Sequence, residues 1–215
     1  MYTLVELPSL LQEIPDSPKQ LHYRGNLPDW DTNIFLTVVG SRKHSEYGKQ
    51  VCQDIIKGLR GYPVVIVSGL ALGMDALAHR AALDAGLTTV AFPGSGLHDS
   101  VLAPRTNFDL AQEILASGGA LFSEYDEKQR AARWTFPQRN RLMAGIAHAT
   151  LVVEAGEKSG TLITSRLATE YNRDVFTVPG SIYRSQAAGP HMLLKLGAYP
   201  ITSPQDVIDH FNLVV

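Results

Sequence analysis

The chain has 215 residues, of which 45% are hydrophobic, and its formal net charge is -2. This length supports one sizeable hydrophobic core and leaves no room beside it for a second domain of ordinary size. The near-neutral charge excludes a globally basic nucleic-acid-binding protein, so any polyanionic ligand must meet a local basic patch.

Residues 1–33 are punctuated by prolines, and they predict an extended lead-in with one helical turn. The regular pattern begins at Ile34–Val39, a run without period-two alternation that is typical of a strand buried on both faces. Gly40-Ser41-Arg42 follows and leads into a helical pattern that begins near Ser45. Such a turn is a candidate anion site, because it presents backbone N–H groups and the positive end of a helix dipole.

Strand and helix patterns then alternate to the end of the chain. The further predicted strands are Val64–Val67, Thr88–Phe92, Ala120–Ser123, Thr150–Val153 and Val175–Val178. Because parallel strands need crossover helices, the alternation predicts an α/β fold: an extended Rossmann-like, doubly wound, mostly parallel sheet with helices on both faces.

Parallel strands all end at one edge of a sheet, so loops rich in small residues should gather there. They are 40–42, 68–75, 93–96, 156–161 and 179–181. Since Arg42 and Lys158 lie among them, these loops favour a phosphate-bearing ligand in the crevice of the sheet.

The sequence lacks the motifs of several common ligand-binding sites. The first turn is not GxGxxG and no acid ends the second strand, which argues against a dinucleotide, and the P-loop signature is absent. The seven histidines lack metal-ligand spacing. We therefore predict no metal and no cofactor.

Four ionisable residues could take part in catalysis or could have purely structural roles. Asp75 and His79 lie four apart on a predicted helix and could form an acid/base pair, but a carboxylate in the first turn also complements the helix dipole and His79 could simply be packed. Glu124 and Glu154 each end a strand. They could act as a hydrolytic pair, or they could neutralise and orient nearby arginines.

A local cationic run is the most informative charge pattern. From Lys128 to His148 there are five Lys and Arg residues and no acid. Trp134 and Phe136 interleave with the cations, which offers flat faces for bases beside charges for phosphates. A helix then carries Arg139 and Arg141 in its first turns, where cations oppose the dipole, so we expect an anion to join them.

The single cysteine, Cys52, excludes an internal disulfide framework and is typical of a reducing compartment. No apolar run reaches the roughly 18 residues that span a bilayer, and the first residues lack the pattern of a secretory signal. The sequence therefore predicts a soluble, cytoplasmic protein without a membrane partner.

Seven motifs carry a resemblance to a known family: VVGSRKHSEYG (38–48), SGLALGMDALAHRAAL (68–83), PGSGLHDSVLAPRTN (93–107), SEY (123–125), FPQRNRLMAGIA (136–147), VVEAGEKSGTLIT (152–164) and VPGSIYRSQAAGPHMLLKLGA (178–198). Together they resemble the DNA-processing protein A family, also called Smf. The resemblance implies an extended Rossmann fold that binds single-stranded DNA during natural transformation, loads the RecA recombinase onto it, and works as a homodimer without catalytic turnover.

The resemblance also implies roles for individual residues. The implied DNA-binding pocket comprises Gly40, Ser41, Arg42, Gly69, Gly73, Phe136, Arg139, Asn140, Arg141, Lys158, Ser159, Gly160 and Thr161. Gly189–Ala198, with His191 and Leu194, is similar to the segment linked to self-association. We expect residues 1–33 to be a lead-in and 34–215 to be the DNA-binding domain, without the N-terminal helical module and the C-terminal winged helix that are frequent in the family.

The same core also resembles phosphoribohydrolase-like enzymes that cleave nucleotide N-glycosidic bonds. Their motif is PGGxGTxxE, in which the glutamate assists cleavage. Here Gly160-Thr161 matches the GT, but Thr164 stands at the glutamate position and the PGG is missing. Hydrolysis is therefore disfavoured, and a nucleotide-binding module on the same core stays as a further alternative.

Overall fold

The computed structural model describes residues 2–4 and 6–214 of the chain. The strands are β1 (Tyr2–Thr3), β2 (His22–Gly25), β3 (Ile34–Val39), β4 (Val64–Ser68), β5 (Thr89–Ala91), β6 (Ala120–Ser123), β7 (Ala149–Val152), β8 (Asp174–Thr177) and β9 (Tyr199–Pro200). The helices are α1 (Ser9–Gln12), α2 (Glu46–Gly58), α3 (Met74–Ala85), α4 (Phe108–Ala116), α5 (Thr135–Ile146), α6 (Thr161–Glu170), α7 (Ala188–Lys195) and α8 (Pro204–His210).

These strands form one sheet in the order β1-β2-β6-β5-β4-β3-β7-β8-β9. Strands β3 to β9 pair in parallel with one another, whereas β2 pairs antiparallel with β6. The predicted α/β class with a mostly parallel sheet is confirmed. The strand order reverses at β3, because β4 lies on one side of it and β7 on the other, and such a reversal opens a crevice at the carboxyl ends of the strands.

The central strand β3 is buried on both faces, as its lack of alternation predicts. Leu36 and Val38 pack in one cluster with residues of α2 and α3. Phe35 and Val39 point to the opposite face and pack with residues of α5. Successive side chains of a strand alternate between faces, so one six-residue strand joins both hydrophobic layers.

Residues 1–33 contribute two strands to this sheet that the sequence pattern did not predict. Strand β2 lies beside β6, with Tyr23 opposite Phe122, and β1 pairs in turn with β2. The expected helical turn is α1. The outer ends of the two predicted regions, Met1 and Val215, lie outside the described residues.

None of the helices in the described part of the chain combines the length and the apolar character needed to cross a bilayer.

Candidate nucleic-acid interface

A cleft of about 320 Å³ lies at the carboxyl end of β3, where the strand order reverses. Three motifs that are far apart in the sequence form its walls. The predicted residues that line it are Gly40, Ser41, Arg42, Phe136, Arg139, Asn140, Ser159, Gly160 and Thr161. The carboxyl edge of the sheet and the starts of α5 and α6 bring these residues together.

The turn after β3 is fixed by hydrogen bonds from three directions. The Ser41 N–H donates to the Glu154 carbonyl (2.7 Å), and the Met74 N–H donates to the Ser41 carbonyl (3.1 Å). The Thr161 hydroxyl donates to the Gly40 carbonyl (3.1 Å). Arg42 therefore extends from a rigid turn, and its side chain is exposed at the cleft.

Two glycines allow the loop after β4 to close on this turn. Gly73 has φ +82°, and a Cβ there would lie 2.5 Å from the Arg42 Cα. At Gly69 an added Cβ would overlap the Arg139 guanidinium, at 1.3 Å from Nη1. Gly69 and Gly73 do not line the cleft itself, but they set its shape. Gly69 lines a neighbouring, smaller cavity of about 160 Å³ that shares Arg42 and Phe136 with the cleft.

Backbone N–H groups of these turns are largely used within the protein. The Ser41 N–H bonds to the Glu154 carbonyl, and the Gly69 N–H donates to the Asp75 carboxylate (3.1 Å). The Ala71 N–H also points to that carboxylate (3.4 Å). The expectation that glycine-turn N–H groups bind an anion is therefore wrong for these three groups, and an anion must be met mainly by side chains.

Arg139 lines the cleft but is almost completely buried, with 4% of its surface exposed. Its Nη1 lies 3.8 Å from the Asp75 carboxylate and 3.3 Å from the Met143 sulfur. Burial raises the pKa of Asp75, while the Arg139 charge opposes that shift. The protein thus supplies its own carboxylate for Arg139, where the sequence led us to expect an external anion.

Arg141 lies away from the cleft. It forms ion pairs with Glu124 and with Asp16, whose Oδ2 is 3.4 Å from the Arg141 Nε. The Tyr171 hydroxyl also donates to Asp16 (2.6 Å), so this cluster fixes the N-terminal segment to α5. Arg139 and Arg141 are two residues apart, which places them on different sides of a helix, so only one can face the cleft.

The other acids that the sequence left open have structural partners. Glu154 is buried and accepts hydrogen bonds from the Ser45 N–H (2.8 Å) and the Ser45 hydroxyl (2.6 Å), so it stabilises the start of α2. His79 is completely buried, and its Nδ1 lies 2.7 Å from the Thr89 hydroxyl. Burial, and next the charge of Arg139, lower the pKa of His79 to about 3, so this ring is neutral at physiological pH.

Two cations near the cleft are exposed: Arg42 lines it, whereas Lys158 does not line it but directly precedes the lining residue Ser159. Arg42 and Lys158 have no side-chain ion pair or hydrogen bond among residues 2–4 and 6–214. Lys158 lies in the turn immediately before Ser159 at the start of α6, whose dipole presents its positive end there. Phe136 is half-buried and lines the same cleft as Arg42, with the Arg139 guanidinium carbon 6.0 Å from its ring centroid.

Five cleft residues are absent from the predicted pocket: Val39, Ala71, Asp75, Met143 and Thr164, although Ala71 and Asp75 belong to the loop 68–75 that was expected at this edge. Helical spacing could have identified two of them, since Met143 lies four residues after Arg139 and Thr164 three after Thr161. For Asp75 the sequence pattern pointed to His79 rather than to Arg139, because the contact with α5 joins two elements that are distant in the chain.

The predicted self-association residues lie on α7, in a different part of the molecule. His191 is half-buried, with Nε2 2.9 Å from the Gly180 carbonyl, and Leu194 is half-buried as well. Neighbouring side chains on this helix and just after it, Met192 and Leu196, are 42% and 76% exposed.

The cleft is not the largest cavity. One of about 830 Å³ opens between the start of α2 and the turn after β8. Arg184 is the only Lys or Arg in its lining, and Glu46 and Glu154 line it too, so it lacks the positive charge that a phosphate chain requires. Within the described residues, no group of three or more His, Cys, Asp or Glu side chains is placed to bind a metal ion.

A family model for DNA recombination-mediator protein A matches residues 1–212. The chain belongs to this family. Among curated members, the protein Smf of Escherichia coli is 39% identical over 205 residues, which are 95% of this chain and 54% of that protein. The chain therefore spans about half the length of this relative.

Two solved structures of recombination-mediator family members have the same fold. DNA processing protein A from Streptococcus pneumoniae superposes with a TM-score of 0.87 and 41% identity, covering 94% of this chain and 70% of that one. DNA processing protein A from Helicobacter pylori, which is described by its single-stranded DNA binding mode, also gives a TM-score of 0.87, with 30% identity over 97% of this chain and 94% of that one.

Proposed function

We propose that this protein binds single-stranded DNA in the cleft at the carboxyl end of β3. The observation that carries the proposal is a pair of exposed cations, Arg42 and Lys158, without ion pairs in the described part of the chain, beside a cleft of about 320 Å³ with an aromatic wall. In this account Arg42 and Lys158 contact phosphates, the start of α6 adds its dipole, and Phe136 packs against a base. The single-stranded DNA binding described for the Helicobacter pylori relative supports it.

The neutral inner wall of the cleft favours a strand over a small, highly charged ligand. Asp75 compensates Arg139, so the net positive charge comes from the rim. A sugar-phosphate chain can lie along that rim and insert only part of one nucleotide. Since phosphate contacts dominate such binding, affinity should fall with salt by a log-log slope of about -0.7 per phosphate, with slight sequence preference.

An anisotropy titration tests the proposal. Labelled oligo-dT should bind more tightly than a blunt duplex of the same length, because the cleft admits one flexible strand and a base without a partner. Equal affinity for the two ligands, or affinity that does not change with salt, would overturn the proposed cleft.

We further propose that the protein processes incoming DNA in the cytoplasm during natural transformation and recombination, and that it loads RecA onto the bound strand. The names of its relatives, DNA processing protein and recombination mediator, support this role. RecA assembly on single-stranded DNA should be faster with the protein than without it. No acceleration at saturating protein would contradict the loading step while leaving DNA binding intact.

We propose that the protein acts as a homodimer through α7, with His191 and Leu194 at the interface. The exposed Met192 and Leu196 give this region an apolar surface that a second copy could cover. Leu194→Glu should convert the dimer to a monomer in sizing experiments. A wild-type protein that is monomeric at high concentration would contradict the proposal.

The contacts of the acidic residues support a protein that binds DNA without catalysing a reaction. Glu124 is paired with Arg141, Glu154 stabilises the start of α2, and Asp75 contacts Arg139, so each carboxylate already has a structural partner. Incubation with nucleoside monophosphates should release no free base. Release that disappears in Glu124→Gln or Glu154→Gln would favour the phosphoribohydrolase-like alternative.

A further inference from the structure

The cationic run of residues 128–141 consists of two parts with different surroundings. Arg139 and Arg141 contact carboxylates of the protein. Lys128, Arg130 and Arg133 are exposed, and none has an ion pair among residues 2–4 and 6–214. The cleft therefore uses little of the charge that the run carries, and three of its five cations remain unassigned.

Residues 128–134 form an exposed loop, and Trp134 lies at its end. Its indole is more exposed to solvent than is usual for a tryptophan. Its side chain is 53% exposed, and its ring packs edge-to-face on Tyr125, with centroids 5.7 Å apart and an interplanar angle of 89°. The Tyr125 hydroxyl donates to the Thr135 carbonyl (3.0 Å), and the Thr135 hydroxyl donates to the Gly94 carbonyl (2.6 Å). The Trp134 ring thus packs against a Tyr125 side chain that is itself held in place by a hydrogen bond.

The exposed loop lies on the same sheet edge as the cleft. It follows β6, and the Gly96 N–H in the loop after β5 donates to the Gln129 carbonyl (2.8 Å). Phe136, two residues after Trp134, lines the cleft, and Lys158 follows β7. In the order β6-β5-β4-β3-β7 the loop and Lys158 are four strand spacings apart, or about 19 Å at about 4.8 Å per spacing.

We propose that Lys128–Trp134 is a second, outer contact for single-stranded nucleic acid: a base stacks on Trp134 while Arg130 and Arg133 contact the flanking phosphates. The inference rests on the proposed function, because the same strand occupies the cleft and continues past Phe136 over β5 and β6. Exposed Asp126 and Glu127 at the start of the loop repel the backbone, so the phosphates contact the part nearest Trp134. Bases of any kind can stack on an indole, so this contact adds affinity without adding sequence readout.

Fluorescence reports the stacking directly, since the chain has only two tryptophans. Trp30 packs on Phe35 with ring centroids 4.8 Å apart, and Trp30→Phe leaves Trp134 as the only indole. Titration of this variant with end-labelled oligo-dT should quench Trp134 emission in parallel with the rise in anisotropy. A rise in anisotropy with unchanged emission overturns the outer contact alone, whereas no rise in anisotropy overturns both this contact and the proposed function.

Oligonucleotide length separates the outer contact from the cleft. Trp134→Ala should bind an oligo-dT of about 16 nucleotides about ten-fold more weakly than the wild type, and one of about 4 nucleotides equally well. Trp134→Phe should restore most of the affinity, because it keeps an aromatic face. Tyr199→Ala is the matched control, since Tyr199 is 50% exposed on β9, six strand spacings from β6. An equal loss for both lengths, or no loss for either, overturns the inference.

Discussion

Ionisable side chains in and around the cleft form two groups that differ in solvent access. The inner group, Asp75, His79 and Arg139, is buried, and Arg139 and Asp75, which line the cleft, compensate each other's charge. The outer group, Arg42 and Lys158, is exposed at the rim. Cations of the two groups are hard to distinguish in the sequence, yet only those of the outer group are free to meet a ligand.

The difference follows from the cost of removing a charge from water. A buried guanidinium is stable only beside a compensating group, so Arg139 is committed to Asp75 and fixes the position of α5 against α3. An exposed guanidinium keeps its hydration and loses little when it has no protein partner. The inner group therefore determines the shape of the cleft, and the outer group determines what it binds.

The largest expected effect is on stability, at the inner group. Arg139→Ala leaves the Asp75 carboxylate buried without its cation, and it should lower the free energy of unfolding by about 3–5 kcal/mol. Arg130→Ala, in the exposed loop, is the control and should change it by less than about 0.5 kcal/mol. Chemical denaturation measures both, and similar values for the two variants would remove the distinction between the groups.

The second effect is a pH dependence of the folding stability, which comes from His79. Its pKa in the folded state is lowered to about 3 by burial, whereas the unfolded chain has the ordinary value of 6.5. A histidine with a lowered folded pKa contributes stability that is present above the unfolded pKa and is lost as pH falls towards the folded pKa. The stability difference between the wild type and His79→Gln should therefore shrink from pH 7 to pH 4. A difference that is constant over this range would contradict a neutral, buried His79.

A smaller effect, on affinity, is expected at the outer group. Arg42→Glu places a carboxylate at the rim and should weaken binding of oligo-dT at least about ten-fold at moderate salt, with little change in unfolding. Lys57→Glu on the exposed side of α2 makes the same change of charge away from the cleft. Equal losses for the two variants would mean that overall charge, rather than the rim, determines binding.

Much of this edge could be predicted from the sequence, because parallel strands share a carboxyl edge. The turn after β3, the start of α5 and the start of α6 were expected to meet, and they line one cleft. Strands β1 and β9 were missed because each is only 2 residues long, and β2 because it lies in the proline-punctuated lead-in and pairs with β6, about a hundred residues later in the chain. Local patterns do not encode such distant pairing.

The contacts of the arginines were harder to predict from the sequence than the position of the cleft. Helical spacing could have separated Arg139 from Arg141, because residues two apart do not share a helix face. The alternative that Glu124 neutralises a nearby arginine agrees with its ion pair with Arg141, but nothing in the sequence indicates that Arg139 contacts Asp75 or that Arg141 contacts Asp16. These contacts depend on how α5 packs against α3 and against the N-terminal segment, so charge alone overstated the number of cations available to DNA.

The salt dependence of oligo-dT binding tests the role of the rim most directly. The double variant Arg42→Glu/Lys158→Glu removes two phosphate contacts, and its log-log slope should be shallower than that of the wild type by about 1.4, at about 0.7 per phosphate. A slope equal to that of the wild type would contradict the account, because it would mean that neither side chain neutralises a phosphate of the bound strand.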